Sequence, residues 1–312
     1  MKKVAFLFPG QGSQAVGMGQ SFVQQSDVAR GMLAQASEAL GYDLAQILFE
    51  PGEKLSQTTY TQPAILFVSL VAHRLFENEL PIKPLYAMGH SLGELSAVAA
   101  MGGLSLGDAL CVASKRGGWM QEACSGVPAG MMVLLGLSDE ATGELCAKLQ
   151  AEGKQLWPAN YNNDGQIVLA GLKPDLEASA ERFKAAGAKR AMLLDMSVAS
   201  HCPLLQSAVS SLETLLEEKL AGDLLSPVLS NATVECYQSK TDAVTLLASQ
   251  LVKPVRYKQS IAKIESEVEC FIEFGHGGIL KGLNRKLTTK PTLSVSNMDE
   301  LEQAIDQLKA EQ

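Results

Sequence analysis

The pentapeptide Gly89-His90-Ser91-Leu92-Gly93 spells G-x-S-x-G between a short apolar run at 85–88 and a helix-like run at 94–101. That pattern is the signature of a nucleophile elbow, a sharp strand-to-helix turn. Its glycines remove side chains that would collide in so tight a turn, and the serine is left projecting its Oγ. The helix that starts there aims backbone N–H groups at the same point, where they stabilise negative charge developing on a substrate oxygen. The chemistry implied is nucleophilic attack on an acyl carbon.

A serine hydroxyl is almost wholly protonated at neutral pH and needs a base. The chain has four histidines. His73 falls in an apolar helical run, where a packing role is expected. His90 adjoins Ser91, and neighbouring side chains diverge, so it is expected to pack or hydrogen-bond at the site. His201, in Val198-Ala199-Ser200-His201-Cys202-Pro203, and His276, in Gly275-His276-Gly277-Gly278, remain as candidate bases. A late histidine after a strand suits a generic α/β hydrolase and favours His276. Spacing alone does not choose between the two.

A second glycine-rich turn, Pro9-Gly10-Gln11-Gly12-Ser13-Gln14-Ala15, follows the first apolar strand. It contains G-x-G-x-x-A, but Pro9 interrupts the strand-to-glycine junction. No strand ending in Asp or Glu follows about 20 residues on, so a dinucleotide site is disfavoured. The other use of such a turn is to present a bare N–H opposite the elbow, as a second oxyanion donor. Arg116 sits beside Gly117 and Gly118 among apolar neighbours. A half-buried guanidinium needs a carboxylate; if the protein supplies none, a substrate carboxylate fills the place.

The elements that must hold these residues alternate between strand and helix, which predicts an α/β fold. Residues 4–8 read as a buried strand and 64–79 as a helix. Ser105 and Asp108 form a capping box opening a helix to about residue 124. The middle third reads strand 131–137, helix 139–150, strands 156–161 and 166–170 around Asn162-Asn163-Asp164-Gly165, helix 175–186 and strand 190–196. This β-α-β-β-α-β order is ferredoxin-like, and residues 128–197 are expected to form a small domain inserted into a core of 1–127 and 198–312. The core resumes with helix 203–220, strand 227–230, helix 241–251, strand 271–274, helix 279–287 and a last helix capped by Asn297.

The 312 residues are 46% hydrophobic and 19% charged, enough apolar material for a large core. A net charge of −8 argues against general nucleic-acid binding. No apolar run is long enough to span a bilayer or to act as an export signal. The six cysteines form no C-x-x-C pair, which fits buried thiols in a reducing cytoplasm rather than disulfides or a zinc site. No metal or redox cofactor is expected, and a monomer is expected.

Five motifs occur in order: Pro9-Gly10-Gln11-Gly12-Ser13-Gln14, Gly89-His90-Ser91-Leu92-Gly93-Glu94, Lys115-Arg116-Gly117, Val198-Ala199-Ser200-His201 and Pro254-Val255-Arg256. Together the chain resembles the malonyl-CoA:acyl-carrier-protein transacylases of dissociated fatty acid synthesis, over nearly its whole length. The resemblance implies an α/β-hydrolase-like core with a parallel sheet and the inserted ferredoxin-like domain. It implies Ser91 as nucleophile and His201, not His276, as base, oriented by the main-chain carbonyl of Gln250. It implies an oxyanion hole from the N–H groups of Gln11 and Leu92, and Arg116 holding the malonyl carboxylate. Asn160, Asn162 and His90 are implied to face the substrate cleft. The implied substrates are malonyl-CoA and the phosphopantetheine thiol of acyl carrier protein.

One departure is Gly275-His276-Gly277 where relatives usually carry Gly-Pro-Gly, and His276 is therefore expected near the pocket mouth. Lys281, Arg285 and Lys286 fall at i, i+4 and i+5 of the expected 279–287 helix and would suit an acidic carrier; an ordinary solvated face has the same pattern. Rival readings are a serine esterase or thioesterase, a stand-alone polyketide acyltransferase, and a non-catalytic acyl sensor or carrier-binding scaffold.

Overall fold

The computed structural model describes residues 2–196 and 198–310. The domain junction expected at residue 197 and the outermost residues 1, 311 and 312 lie outside these. Among the described residues ten strands form two sheets: β1 (Val4–Phe8), β2 (Tyr86–Gly89), β3 (Ala129–Leu135), β4 (Leu156–Asn163), β5 (Gln166–Leu172), β6 (Arg190–Leu193), β7 (Val228–Leu229), β8 (Cys236–Tyr237), β9 (Cys270–Phe274) and β10 (Thr292–Val295). The larger sheet runs β10-β9-β1-β2-β7-β8. It is parallel from β10 to β7, and β8 pairs antiparallel at one edge. The fold is α/β, with helices packed against this mixed sheet and a second, antiparallel one.

β1 pairs with β2 on one side and β9 on the other, and all five of its residues are buried. A strand covered on both faces needs a continuous apolar run, and Val-Ala-Phe-Leu-Phe supplies it. The turn after β1 and the elbow after β2 therefore leave the same sheet edge side by side. Three glycines make that approach possible. A Cβ on Gly93 would lie 1.9 Å from the Phe8 carbonyl oxygen, one on Gly89 2.0 Å from the Gly93 carbonyl carbon, and one on Gly10 2.2 Å from the His90 oxygen.

The second sheet is wholly antiparallel, in the order β4-β5-β3-β6. Its own apolar cluster includes Met132, Leu134, Leu156, Leu169 and Phe183. The hairpin between β4 and β5 is tighter than expected, because Asn162 and Asn163 extend the strand and only Asp164-Gly165 turns, with Gly165 at φ 78°. β6 stops at Leu193, short of the expected residue 196.

Two helix ends differ from expectation with consequences for function. The apolar helix is Thr58–Glu79, running through Pro63 instead of starting after it. Its first turn is tied by Thr61 Oγ1, which donates to Leu55 O at 2.7 Å and Gln57 O at 2.9 Å. Pro63 lies close enough to the start that only one intrahelical bond is lost. Gln62 thereby becomes a buried helical residue. The expected 279–287 helix is only Ile279–Asn284, with Arg285 as its C-cap and Lys286 beyond it. Buried Asn284 accepts from Tyr257 Oη at 2.9 Å and donates to Thr292 Oγ1 at 3.0 Å, which anchors the chain where the helix ends. Ser105 caps Leu106–Ala123, and Asn297 Oδ1 accepts from Glu300 N at 2.9 Å, as expected of both.

Candidate active site

Ser91 lies between β2 and the Leu92–Ala100 helix with φ 55° and ψ −108°. A non-glycine residue there carries strain of about 1–3 kcal/mol and persists only where its surroundings fix it. Its Oγ is 2.7 Å from His201 Nε2, and His201 Nδ1 is 2.9 Å from the Gln250 carbonyl oxygen. A carbonyl only accepts, so Nδ1 carries the proton and Nε2 presents its lone pair to the serine hydroxyl. His201 itself has φ 61°. Burial, with the Arg116 charge second, pushes its imidazole down to about 3, so it stays neutral and able to accept a proton.

Arg116 is buried at 3% exposure rather than half-buried. The Leu106–Ala123 helix lies close to the start of the Thr58–Glu79 helix, because a Cβ on Gly117 would sit 2.5 Å from Thr58 O. Gly118 makes no such close approach, its Cβ meeting Thr59 Oγ1 at 3.7 Å. The guanidinium donates from Nη1 to Gln62 Oε1 at 2.9 Å, and from Nη2 to Gln250 Oε1 at 3.0 Å and Ser91 Oγ at 3.2 Å. All three partners are neutral. Burial pushes Arg116 down to about 10, which leaves it cationic at neutral pH. Glu94 lies one hydrogen bond further off, accepting from Gln250 Nε2 at 2.6 Å. A carboxylate arriving beside Ser91 would meet a desolvated cation whose own partners carry no charge.

A cavity of about 150 Å³ opens over Ser91. Core residues Gln11, Gln62, Leu92 and Arg116 form one wall; Met131, Asn160, Asn162 and Val168 of the second sheet form the other. Asn160 and Asn162 share a face of β4, and Asn162 Oδ1 lies 2.8 Å from His90 Nε2. Leu92 is the first residue of its helix, so its N–H has no intrahelical acceptor. Gln11 belongs to the turn that Gly10 brings against His90. Gln11 and Leu92 both line the cavity over Ser91.

The acyl transferase domain family matches residues 5–302. The malonyl CoA-acyl carrier protein transacylase of Bacillus subtilis is 40% identical, covering 100% of this chain and 99% of that one. The chain belongs to the malonyl-CoA–acyl carrier protein transacylase family. A crystal structure of the transacylase from Helicobacter pylori superposes with a TM-score of 0.96 at 44% identity, covering 99% of both chains. A malonyl-transacylase solved in complex with a type II polyketide acyl carrier protein gives a TM-score of 0.94 at 36% identity, covering 98% and 99%.

Of the residues singled out in the sequence, Ser91, His201, Gln250, Gln11, Leu92, Arg116, Asn160, Asn162 and His90 come together at or against the cavity. His276 does not line it and lies on the loop after β9. Lys281 is half-buried, while Arg285 and Lys286 are exposed and do not share the short helix. His73 packs edge-on against Phe6 and Phe274, as a structural residue.

Gln62, Glu94, Asn231 and Tyr237 were missed as site residues. Glu94 is fully buried beneath the elbow and accepts from Asn231 N at 2.9 Å and Tyr237 Oη at 3.0 Å, besides Gln250. Burial outweighs these donors and pushes its carboxyl up to about 7. Glu94 belongs to the elbow motif, but nothing local marks it as buried. Asn231 follows β7 and Tyr237 ends β8, short strands whose sequence carries no functional pattern. Among the described residues, no group of three or more His, Cys, Asp or Glu is placed to hold a metal ion, and no helix is long and apolar enough to cross a membrane.

Proposed function

We propose that this protein moves the malonyl group from malonyl-CoA to the phosphopantetheine thiol of acyl carrier protein through a malonyl-serine intermediate. The observation that carries this reading is the buried Arg116 cation, bonded only to neutral partners, 3.2 Å from a serine hydroxyl that also meets a neutral histidine at 2.7 Å. Arg116 receives the free carboxylate of the diacid and places its thioester carbonyl over Ser91. Ser91 Oγ attacks as His201 Nε2 takes its proton. The Gln250 carbonyl holds the imidazolium through Nδ1–H, a main-chain acceptor in place of a triad acid. The N–H groups of Gln11 and Leu92 take the oxyanion, each contributing roughly 10²–10³-fold. CoA leaves as the thiol, protonated by His201. The carrier thiol then repeats the sequence on the malonyl ester, giving ping-pong kinetics.

In this reading Asn160 and Asn162 contact substrate from the opposite wall, and His90 does so from beside Ser91. Residues 128–197 act as an inserted ferredoxin-like domain on an α/β-hydrolase-like core of 1–127 and 198–312. The antiparallel order second-third-first-fourth strand within 128–197 supports that assignment. An acidic carrier would dock near Lys281, Arg285 and Lys286. Six free cysteines are consistent with a cytoplasmic setting, and the chemistry requires only a monomer with no metal or redox cofactor. A second reading, the same transfer to a polyketide carrier, is supported by the relative solved with a polyketide acyl carrier protein.

Intact-mass measurement after mixing with malonyl-CoA tests the proposal. A stable malonyl adduct on the wild type, absent from Ser91→Ala and discharged by holo-carrier, is expected. Rapid release to water without carrier would identify a thioesterase, and no adduct at all would favour a sensor or scaffold.

A further inference from the structure

Asn231 has no part in the chemistry above, yet it spans the elbow. It is fully buried, in the turn between β7 and β8. Its Oδ1 accepts from the Ser91 N–H at 2.7 Å, and its Nδ2 donates to the Gly89 carbonyl at 2.7 Å. Its backbone N–H donates to Glu94 Oε2 at 2.9 Å, and its carbonyl accepts from Arg256 N at 2.9 Å. Gln250 Nε2, which reaches Glu94, also approaches Asn231 Oδ1 at 3.4 Å. The turn is itself strained: Val234 has φ 63°, rare for a β-branched residue, and its N–H donates to Ser230 O at 3.0 Å. Such a conformation is kept where the surroundings over-determine it.

We propose that Asn231 is a positioning residue that locks Ser91 in its strained conformation by bridging the Ser91 N–H and the Gly89 carbonyl. Two consequences follow. The bridge fixes the direction of Oγ toward His201. It also commits the Ser91 N–H, so the elbow offers the Leu92 N–H to the oxyanion. One amide meets both needs because it holds an acceptor and a donor on one planar group. The proposal rests on Ser91 being the residue that becomes acylated.

The test compares Asn231→Ala and Asn231→Asp with the wild type, following malonyl-enzyme formation by rapid-quench intact mass. In Asn231→Ala the acylation rate constant is expected to fall about 10²-fold, the cost of a nucleophile misplaced by about 1 Å. The final stoichiometry should be full, and the KM for malonyl-CoA should move far less than the rate, because Gln62 still holds Arg116.

Asn231→Asp gives a readout that a merely structural role would not move. An ionised carboxylate accepts from the Ser91 N–H but cannot donate to Gly89. A protonated one restores both bonds. Glu94 is the charged group directly against this position. Tyr237 faces it through Glu94, Arg116 through Gln250 and His201 through Ser91, while Glu235 shares the turn and Arg256 bonds through its backbone. The Asp variant should be slow at about pH 8 and recover toward the wild-type rate as pH falls to about 5.5. A wild-type rate constant in both variants would overturn the proposal. So would a normal rate at reduced stoichiometry in Asn231→Ala together with a wild-type pH profile in Asn231→Asp. If the Ala variant does not fold, the pH profile of the Asp variant decides alone. A wild type that forms no adduct would instead overturn the reading of Ser91.

Discussion

The two walls of the cleft are built in opposite ways. On the core side, Ser91, His201, Arg116, Gln250, Glu94 and Asn231 are joined by hydrogen bonds of 2.6–3.4 Å. Strained backbone at Ser91 and His201 is held in place by that network. On the other side, Met131, Val168, Leu194 and Met196 present flexible or apolar surface. That wall is tied to the core by a few links. Tyr161 N donates to Val255 O and Val255 N to Ala159 O, both at 2.8 Å. Lys258 pairs with Asp139 at 2.9 Å and Asp164 at 3.0 Å. The contrast teaches a division of labour for the proposed reaction: a wall cross-linked by polar side chains to set reactivity, and a facing wall of apolar or flexible side chains to receive the acyl group.

The sharpest way to break this contrast is at the cation. Arg116→Ala should slow malonyl transfer by a factor equivalent to about 3–5 kcal/mol while sparing acetyl transfer, because acetyl never paired the guanidinium. The measurement is the ratio of acylation rates from malonyl-CoA and acetyl-CoA, and an unchanged ratio would reject the assignment.

Backbone tolerance should differ between the walls as well. Gly93→Ala drives a Cβ to 1.9 Å from Phe8 O and should destabilise by about 3 kcal/mol. Gly143, in the Asp139–Ala151 helix of the other wall, has nothing within 4 Å of an added Cβ. Gly143→Ala should stabilise by about 0.5–1 kcal/mol. Denaturant unfolding of both checks the pair, and equal losses would erase the distinction.

The pH response sharpens the comparison further. His201 is pushed down to about 3, so the neutral base is present throughout the range above it. Acylation of free enzyme should therefore stay flat as pH falls from 8 to 5. An ordinary histidine near 6.5 would lose over nine-tenths of its neutral form by pH 5. A rate falling with an apparent value near 6.5 would refute a pre-organised, desolvated base. The smallest effect is expected at the rim. Reversing Lys281 and Arg285 to Glu should raise the carrier KM several-fold and leave acylation by malonyl-CoA untouched. A parallel change in both half-reactions would remove the docking role.

What the sequence alone determined was every feature carried by a short contiguous pattern. The elbow, the glycine turn after β1, the buried run of β1, the helix caps at Ser105 and Asn297 and the strand–helix order of residues 129–193 were legible because local sterics and periodicity produce them. The choice of His201 over His276 came from family resemblance, since the two are equivalent in local sequence. Only the tertiary structure decided which of them meets Ser91, that Arg116 has neutral partners, and that Gln62, Glu94, Asn231 and Tyr237 complete the site. Most of those contacts join residues 54–159 positions apart. Burial and hydrogen-bond geometry across such separations are properties of the packed sheet edge, and no window of sequence encodes them.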